Sequence, residues 1–322
     1  MKLPNFFIVG APKAGTTSLY FYLGQHPQIY MSPIKEPNYF AGEMRLDNFV
    51  MEARPRIARE MRALQDYLRG DMRQVRFGGL VSNWDDYLKL FSNVAEEIAI
   101  GEASPCYLWS ETAARNIAAR IPHAKIIINL RNPVDRAFSQ YLHMVTVGST
   151  RRTFREQIHA NLNCDSKLLG PLRPLLEFGH YTEQVGRFLG EFPASQIHIS
   201  FYEDLVRAPG SLLSELFSFL GVDPNFVPDR SVRHTEPRIP KLPGTVYVLK
   251  KWRIWPHLRK LAPQALVPRL RSLVLHNRAA LVMDASDRLF LTDYYRGEIE
   301  KLAKLLNRDL SAWLDAGAHK DF

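Results

Sequence analysis

The sequence predicts an α/β fold in which a doubly wound parallel sheet is flanked by helices. Three observations carry that expectation. Phe6 to Val9 is a short continuous apolar run, the pattern of a strand buried on both faces. A loop bounded by Gly10 and Gly15 leads from it into the helical stretch Leu19-Tyr-Phe-Tyr-Leu23. Beyond that, apolar runs alternate with amphipathic segments, as βαβ units do.

The first loop is P-loop-like. Gly10 and Gly15 are expected to turn the chain tightly through positive φ. Thr16, Thr17 and Ser18 open the helix, whose first-turn N–H groups and positive dipole end suit a phosphate or sulfate. In nucleoside-triphosphatase loops the lysine follows the second glycine. Here Thr16 has that place and Lys13 lies inside the loop. A tight strand–helix turn with incidental polar residues is the plainer alternative.

Along the chain, Pro27 ends the first helical pattern. Ile29 to Met31 reads as a short strand, followed by the loop 32–40. Arg54 to Arg69 reads as a peripheral helix with Ile57, Met61, Leu64 and Leu68 on one face. Ala95 to Ile100 is expected as a strand, 111–120 as a helix and Ala124 to Leu130 as a central strand, with a helix running on to Met144. A long helical region is expected next, then a helix over 182–189 and a strand over 196–201. Gly221 closes the helix Leu212 to Leu220. A final helix over 287–306 is expected to turn Leu289, Ile299, Leu302 and Leu306 inward.

Composition narrows the function classes. With 46% apolar and 23% charged residues in 322, the chain is an ordinary globular protein, read as a single domain over 1–322. No apolar run is long enough for a membrane span, and with only Met1 to Asn5 before the first strand no signal peptide is expected. Cys106 and Cys164 form neither a disulfide framework nor a metal-ligand spacing, so the expected address is cytoplasmic with both thiols reduced. The net charge is +9, yet ten Lys/Arg and no acidic residue fall between Pro237 and Met283. The rest of the chain therefore sums to −1. Trp252, Trp255 and Leu258 interleave with these charges. The 241–283 stretch is read as a basic helical lid or acceptor-side segment, suited to an anionic donor, acceptor or lipid surface, or else as a solvated basic face.

Four separated segments, the Lys13 loop, 130–141, 200–205 and the pair 35–40 with 101–108, together resemble one family, the sulfotransferases that use 3′-phosphoadenosine 5′-phosphosulfate (PAPS). The Lys13 loop resembles their 5′-phosphosulfate loop. Leu130-Arg-Asn-Pro-Val-Asp-Arg-Ala-Phe-Ser-Gln-Tyr141 resembles their 3′-phosphate strand–loop–helix, where Arg131 and Ser139 match the phosphate-holding arginine and serine. Independently, a guanidinium fork suits a phosphate dianion. Ser200-Phe-Tyr-Glu-Asp-Leu205 resembles the motif whose tyrosine, here Tyr202, sits against the adenine. Lys35-Glu-Pro-Asn-Tyr-Phe40 and Gly101-Glu-Ala-Ser-Pro-Cys-Tyr-Leu108 are similar to the heparan-sulfate-type branch and its bacterial relatives.

The resemblance implies PAPS as donor, the product PAP (adenosine 3′,5′-bisphosphate), no metal, and a carbohydrate or small-molecule acceptor; nucleic acid is not expected as a partner. It assigns donor binding to Lys13, Ala14, Gly15, Thr16, Thr17, Ser18, Arg131, Ser139 and Tyr202. Arg238 is the nearest match, by position, to a donor-covering loop. Glu36 maps to the catalytic base, and Lys13 to the group that stabilises the departing phosphate. Partial burial beside Tyr39 and Phe40 would make Glu36 a better base. His143, four residues after Ser139, is the alternative base. Ala103 stands where the heparan-sulfate enzymes carry a lysine, so acceptor contacts must differ. Two other functions remain: a P-loop kinase or nucleotidase, weakened by the displaced lysine, and a non-catalytic module binding PAP or an acidic glycan.

Overall fold

The computed structural model describes residues 2–170, 174–231, 239–240, 275–276 and 282–315. Arg238 and nearly all of the basic 241–283 stretch lie outside the described residues. The first element is β1 (Phe6–Gly10), followed by α1 (Thr16–Leu23), β2 (Ile29–Met31) and β3 (Ile34–Lys35). Next come α2 (Arg54–Arg69), β4 (Arg76–Phe77), α3 (Trp84–Lys89), β5 (Ala99–Ala103), α4 (Cys106–Trp109) and α5 (Ala113–Arg120). β6 (Lys125–Leu130), α6 (Pro133–Thr146), α7 (Phe154–Leu162), α8 (Tyr181–Glu191), β7 (Ile197–Phe201), α9 (Tyr202–Arg207) and α10 (Pro209–Leu220) follow. β8 (Ile239–Pro240) and β9 (Leu275–His276) form an antiparallel pair, and α11 (Ala285–Leu306) is the last long helix.

The central sheet has the order β2-β5-β1-β6-β7, and every pairing in it is parallel. The inner strands β1, β5 and β6 are buried on both faces, which explains their largely apolar reading. Successive residues alternate between two cores. Phe6, Ile8 and Ile127 meet Leu19, Leu23, Leu212, Leu216 and Phe217, from α1 and α10. Phe7, Val9, Ile126, Ile128 and Leu130 face the other way, toward α4, α5, α6, α8 and α11. β3 pairs in parallel with β4 as a separate two-stranded ribbon.

Four expectations change. The strand predicted at 95–100 begins only at Ala99, where β2 becomes available as a partner (Ile29 opposite Ala99). Before it, Glu97 turns back to accept the Ala95 N–H, and Ile98 is exposed. The expected long helical region breaks into α7, capped reciprocally by Thr153 and Glu156, and a one-turn helix at Glu177–Gly179. Gly10 is a glycine for lack of space, not for positive φ: a Cβ there would lie 2.4 Å from that of Leu108. In α11 the inward stripe is Leu291, Tyr295, Ile299 and Leu302, while Leu306 is half-buried. Leu289, two residues before Leu291 and so about 200° around the helix, faces solvent.

The two faces of α11 should respond differently to mutation. Leu289→Gln is expected to shift unfolding free energy by no more than about 0.5 kcal/mol. Ile299→Ala should cost about 2–5 kcal/mol. Urea denaturation of both variants checks the orientation of the helix.

Candidate active site

The loop between β1 and α1 is tied to the next strand by one buried amide. The Ala11 N–H donates to the Asn129 carbonyl at 2.7 Å, and the Asn129 side-chain amide donates to the Ala14 carbonyl. The amide oxygen of Asn129 accepts from Ser200 Oγ at 2.7 Å, reaching across to β7. These bonds allow a polar side chain to sit wholly buried in an isoleucine-rich strand. Lys13 and Gly15 both adopt left-handed backbone, at φ 68° and 82°. At Gly15 a Cβ would also lie 2.5 Å from Leu205, so both space and conformation call for glycine. The first helical bond of α1 runs from the Leu19 N–H to the Gly15 carbonyl, and no side chain caps the helix. The amides of Thr16, Thr17 and Ser18 therefore stand at the positive end of α1, outside its hydrogen-bond ladder.

Arg131 leaves the end of β6 and meets this loop. Its NH1 donates to the Lys13 carbonyl at 3.1 Å, and its guanidinium carbon lies 4.3 Å from the centre of the Tyr202 ring. The Arg131 carbonyl accepts from the Tyr181 hydroxyl at 2.9 Å, fixing the strand end. Among the described residues the guanidinium makes that single hydrogen bond, so its other N–H donors can serve an anion. Lys13, Gly15, Arg131 and Tyr202 thus form one contiguous group.

Glu36 sits one strand further along the same edge. Its N–H donates to the Ala103 carbonyl at 2.9 Å, at the end of β5, and Ala103 lies opposite Ile8 of β1. Its carboxylate accepts from the ammonium of Lys35 at 2.7 Å; the Lys35 side chain is 1% exposed and that of Glu36 43%. The structure therefore surrounds this carboxylate with a buried cation and solvent, a more polar setting than the sequence suggested. Glu36 and Asn38 both have positive φ, 72° and 59°. Such backbone costs roughly 1–2 kcal/mol per residue and persists only where its surroundings hold it. Here the Asn38 side chain donates to the Glu36 carbonyl (2.8 Å) and the Gly79 carbonyl (2.9 Å).

Beneath this turn lies a carboxylate that sequence reasoning left without a role. Glu102, in the middle of β5, is fully buried and accepts three hydroxyl hydrogen bonds, from Tyr87 (2.9 Å), Tyr107 (2.8 Å) and Ser104 (2.9 Å). Burial drives its pKa up from 4.5 to about 7, and the three hydroxyls oppose the rise. Its signal in the sequence was a lone acid inside the apolar run Ala99–Ala103. Lys35 and Asn129 were missed as well, each the odd polar residue in a buried strand. Ser139 is half-buried on α6 and shares none of the contacts that join Lys13, Arg131 and Tyr202; His143 is exposed on the same helix.

A glycine-bearing strand–helix loop, a guanidinium against it and an aromatic ring at the next strand end make a P-loop-like site on a parallel α/β sheet. Comparison with known proteins specifies the class. Residues 4–226 match the model of the Sulfotransferase family, and the chain belongs to that family. A crystal structure of a sulfotransferase from Alicyclobacillus acidocaldarius superposes with a TM-score of 0.69 at 30% identity, covering 98% of this chain and 100% of that one. The human bifunctional heparan sulfate N-deacetylase/N-sulfotransferase 2 is 27% identical over 319 residues, 97% of this chain and 31% of its own length. The human enzyme 3 of the same description matches at the same identity and coverage. The chain thus spans about a third of the length of these curated relatives.

Glu102 should be visible in the pH dependence of stability. Its native pKa lies above the unfolded value, so the folded state holds the proton more tightly. The stability it contributes is complete below about pH 4.5 and is lost as pH rises to about 7. A shift of this size corresponds to roughly 3 kcal/mol. Thermal or urea unfolding of wild type and Glu102→Gln across this window should give a difference between the two that changes in that sense and then flattens.

Proposed function

We propose that this protein transfers the sulfuryl group of PAPS to a hydroxyl or amine of a carbohydrate or small-metabolite acceptor. The observation that carries the reading is the contact of Arg131 with both the Lys13 loop and Tyr202. It joins two anion-binding turns and an aromatic surface at adjoining strand ends, a layout suited to a nucleotide phosphorylated at both 3′ and 5′ positions. The first-turn amides of α1 and Lys13 would hold the 5′-phosphosulfate, and Arg131 and Ser139 the 3′-phosphate. The Tyr202 ring would bear on the adenine. PAPS supplies the activated sulfuryl group and the phosphate leaving group.

The protein's part is placement and charge. Fixing a donor at both phosphates removes much of the entropic barrier to an in-line encounter, up to about 7–11 kcal/mol in favourable cases. Lys13 and the amides of Gly15 to Thr17 would stabilise negative charge growing on the departing phosphate oxygen, as donors in an oxyanion hole do. Glu36 would take the acceptor's proton. Lys35 holds Oε1 of its carboxylate, and Oε2 makes no hydrogen bond among the described residues. The resemblance to heparan sulfate N-sulfotransferases favours a carbohydrate acceptor.

Two measurements test this. Arg131→Ala should raise the calorimetric Kd for PAP roughly tenfold to a hundredfold, the loss of charged hydrogen bonds. Lys13→Ala should lower kcat more than it weakens PAP binding. If PAP does not bind the wild-type protein, the reading fails. Equal losses in turnover and affinity for Lys13→Ala would remove the leaving-group role.

A further inference from the structure

The turn that carries Glu36 contains two non-glycine residues in left-handed conformation, Glu36 and Asn38, separated by Pro37. Two hydroxyls hold its backbone. Ser104 Oγ accepts the Asn38 N–H at 3.1 Å, and the Tyr107 hydroxyl accepts the Phe40 N–H at 3.3 Å. Each hydroxyl has one proton, and both give it to Glu102. In its ionised form, which prevails above its pKa of about 7, this carboxylate only accepts. Each hydroxyl is thereby turned so that its lone pairs face the turn's amides. Cys106 Sγ adds a bond to Asn38 Oδ1 at 2.9 Å, completing the grip on that side chain.

We infer that Glu102 is a positioning residue for the reaction, orienting Ser104 and Tyr107 so that they clamp residues 36–40 and hold the Glu36 carboxylate at the acceptor side of the site. The inference rests on reading Glu36 as the base. Glu102 cannot serve as the base itself: it is fully buried, and all three of its hydroxyl partners are protein groups. Tyr87 supplies an internal control. It donates to Glu102 but gives the turn no hydrogen bond, whereas Ser104 and Tyr107 do both.

Two measurements on the full chain test the clamp. The first needs no acceptor: hydrogen–deuterium exchange of residues 36–40. Glu102→Gln should speed exchange there at least tenfold, leave residues 11–19 unchanged and leave the Kd for PAP within twofold. Tyr87→Phe should leave exchange at 36–40 within twofold of wild type. If Glu102→Gln does not fold, Ser104→Ala and Tyr107→Phe each cut one link while keeping the carboxylate, and either should speed exchange in the same segment. Unchanged exchange at 36–40, or weaker PAP binding to the same extent as the faster exchange, overturns the inference.

The second measurement is PAP release from PAPS with N-desulfated heparin as the acceptor probe. Glu102→Gln should lower kcat at least tenfold with KM for the probe within twofold. Adding it to Glu36→Gln should slow the enzyme no further, because it acts through that residue. Multiplicative losses overturn the positioning role. A Glu36→Gln variant as fast as wild type would instead defeat the reading of Glu36 as base, while the exchange result would still decide whether Glu102 holds the turn.

Discussion

Strands β5, β1, β6 and β7 run parallel and side by side, so their carboxyl ends emerge along one edge, each about 4.8 Å from the next. Glu36, Lys13, Arg131 and Tyr202 inherit their places from that register. Glu36 hangs on the end of β5, the Lys13 loop leaves β1, Arg131 ends β6 and Tyr202 begins the helix after β7. An antiparallel neighbour anywhere in this row would send one of them to the opposite edge. The apolar alternation of Phe6 to Val9 and Ile126 to Leu130 fixes the register by filling a core on each face.

Along this edge the backbone is held in sparsely populated conformations at two places, the Lys13 loop and the 36–38 turn. Each is stabilised by a buried polar side chain one strand away from, or beneath, the residue it supports. Asn129 bridges the loop to β6 and β7, and Glu102 fixes the hydroxyls that grip the turn. Each side-chain nitrogen and oxygen of the two has a hydrogen-bond partner. The pattern suits residues kept for placement, since a buried carboxylate that resists ionisation lowers stability at neutral pH.

Much of this was legible in the sequence, because the strongest signals were local. Glycine spacing, the apolar run before it and a lysine inside the loop are all contained within thirteen residues, and the helix 54–69 matched its predicted bounds. What was not legible depended on partners distant in the chain. The start of β5 is set by β2, some seventy residues earlier, and not by its own composition. Leu289 reads as part of an apolar stripe until the phase of α11 is fixed by its neighbours. The partners of Glu36 were hidden for the same reason. Lys35 precedes it directly, yet only the fold shows that this ammonium is buried and turned back on the carboxylate.

The two glutamates of this edge also show why accessibility must come before acidity in choosing a base. By pKa alone Glu102 is the better candidate, since burial moves it to about 7, near the optimum for proton transfer at neutral pH. Yet no acceptor can reach it: Tyr87, Tyr107 and Ser104 occupy its oxygens. Glu36 is the solvent-accessible carboxylate of the two, with one oxygen held by Lys35. The raised pKa of Glu102 is better understood as a consequence of its burial than as tuning for chemistry. What the carboxylate secures when ionised is direction, because a group that only accepts hydrogen bonds leaves its donors no second orientation. On the proposed reading, one carboxylate meets the acceptor because the other is kept from it.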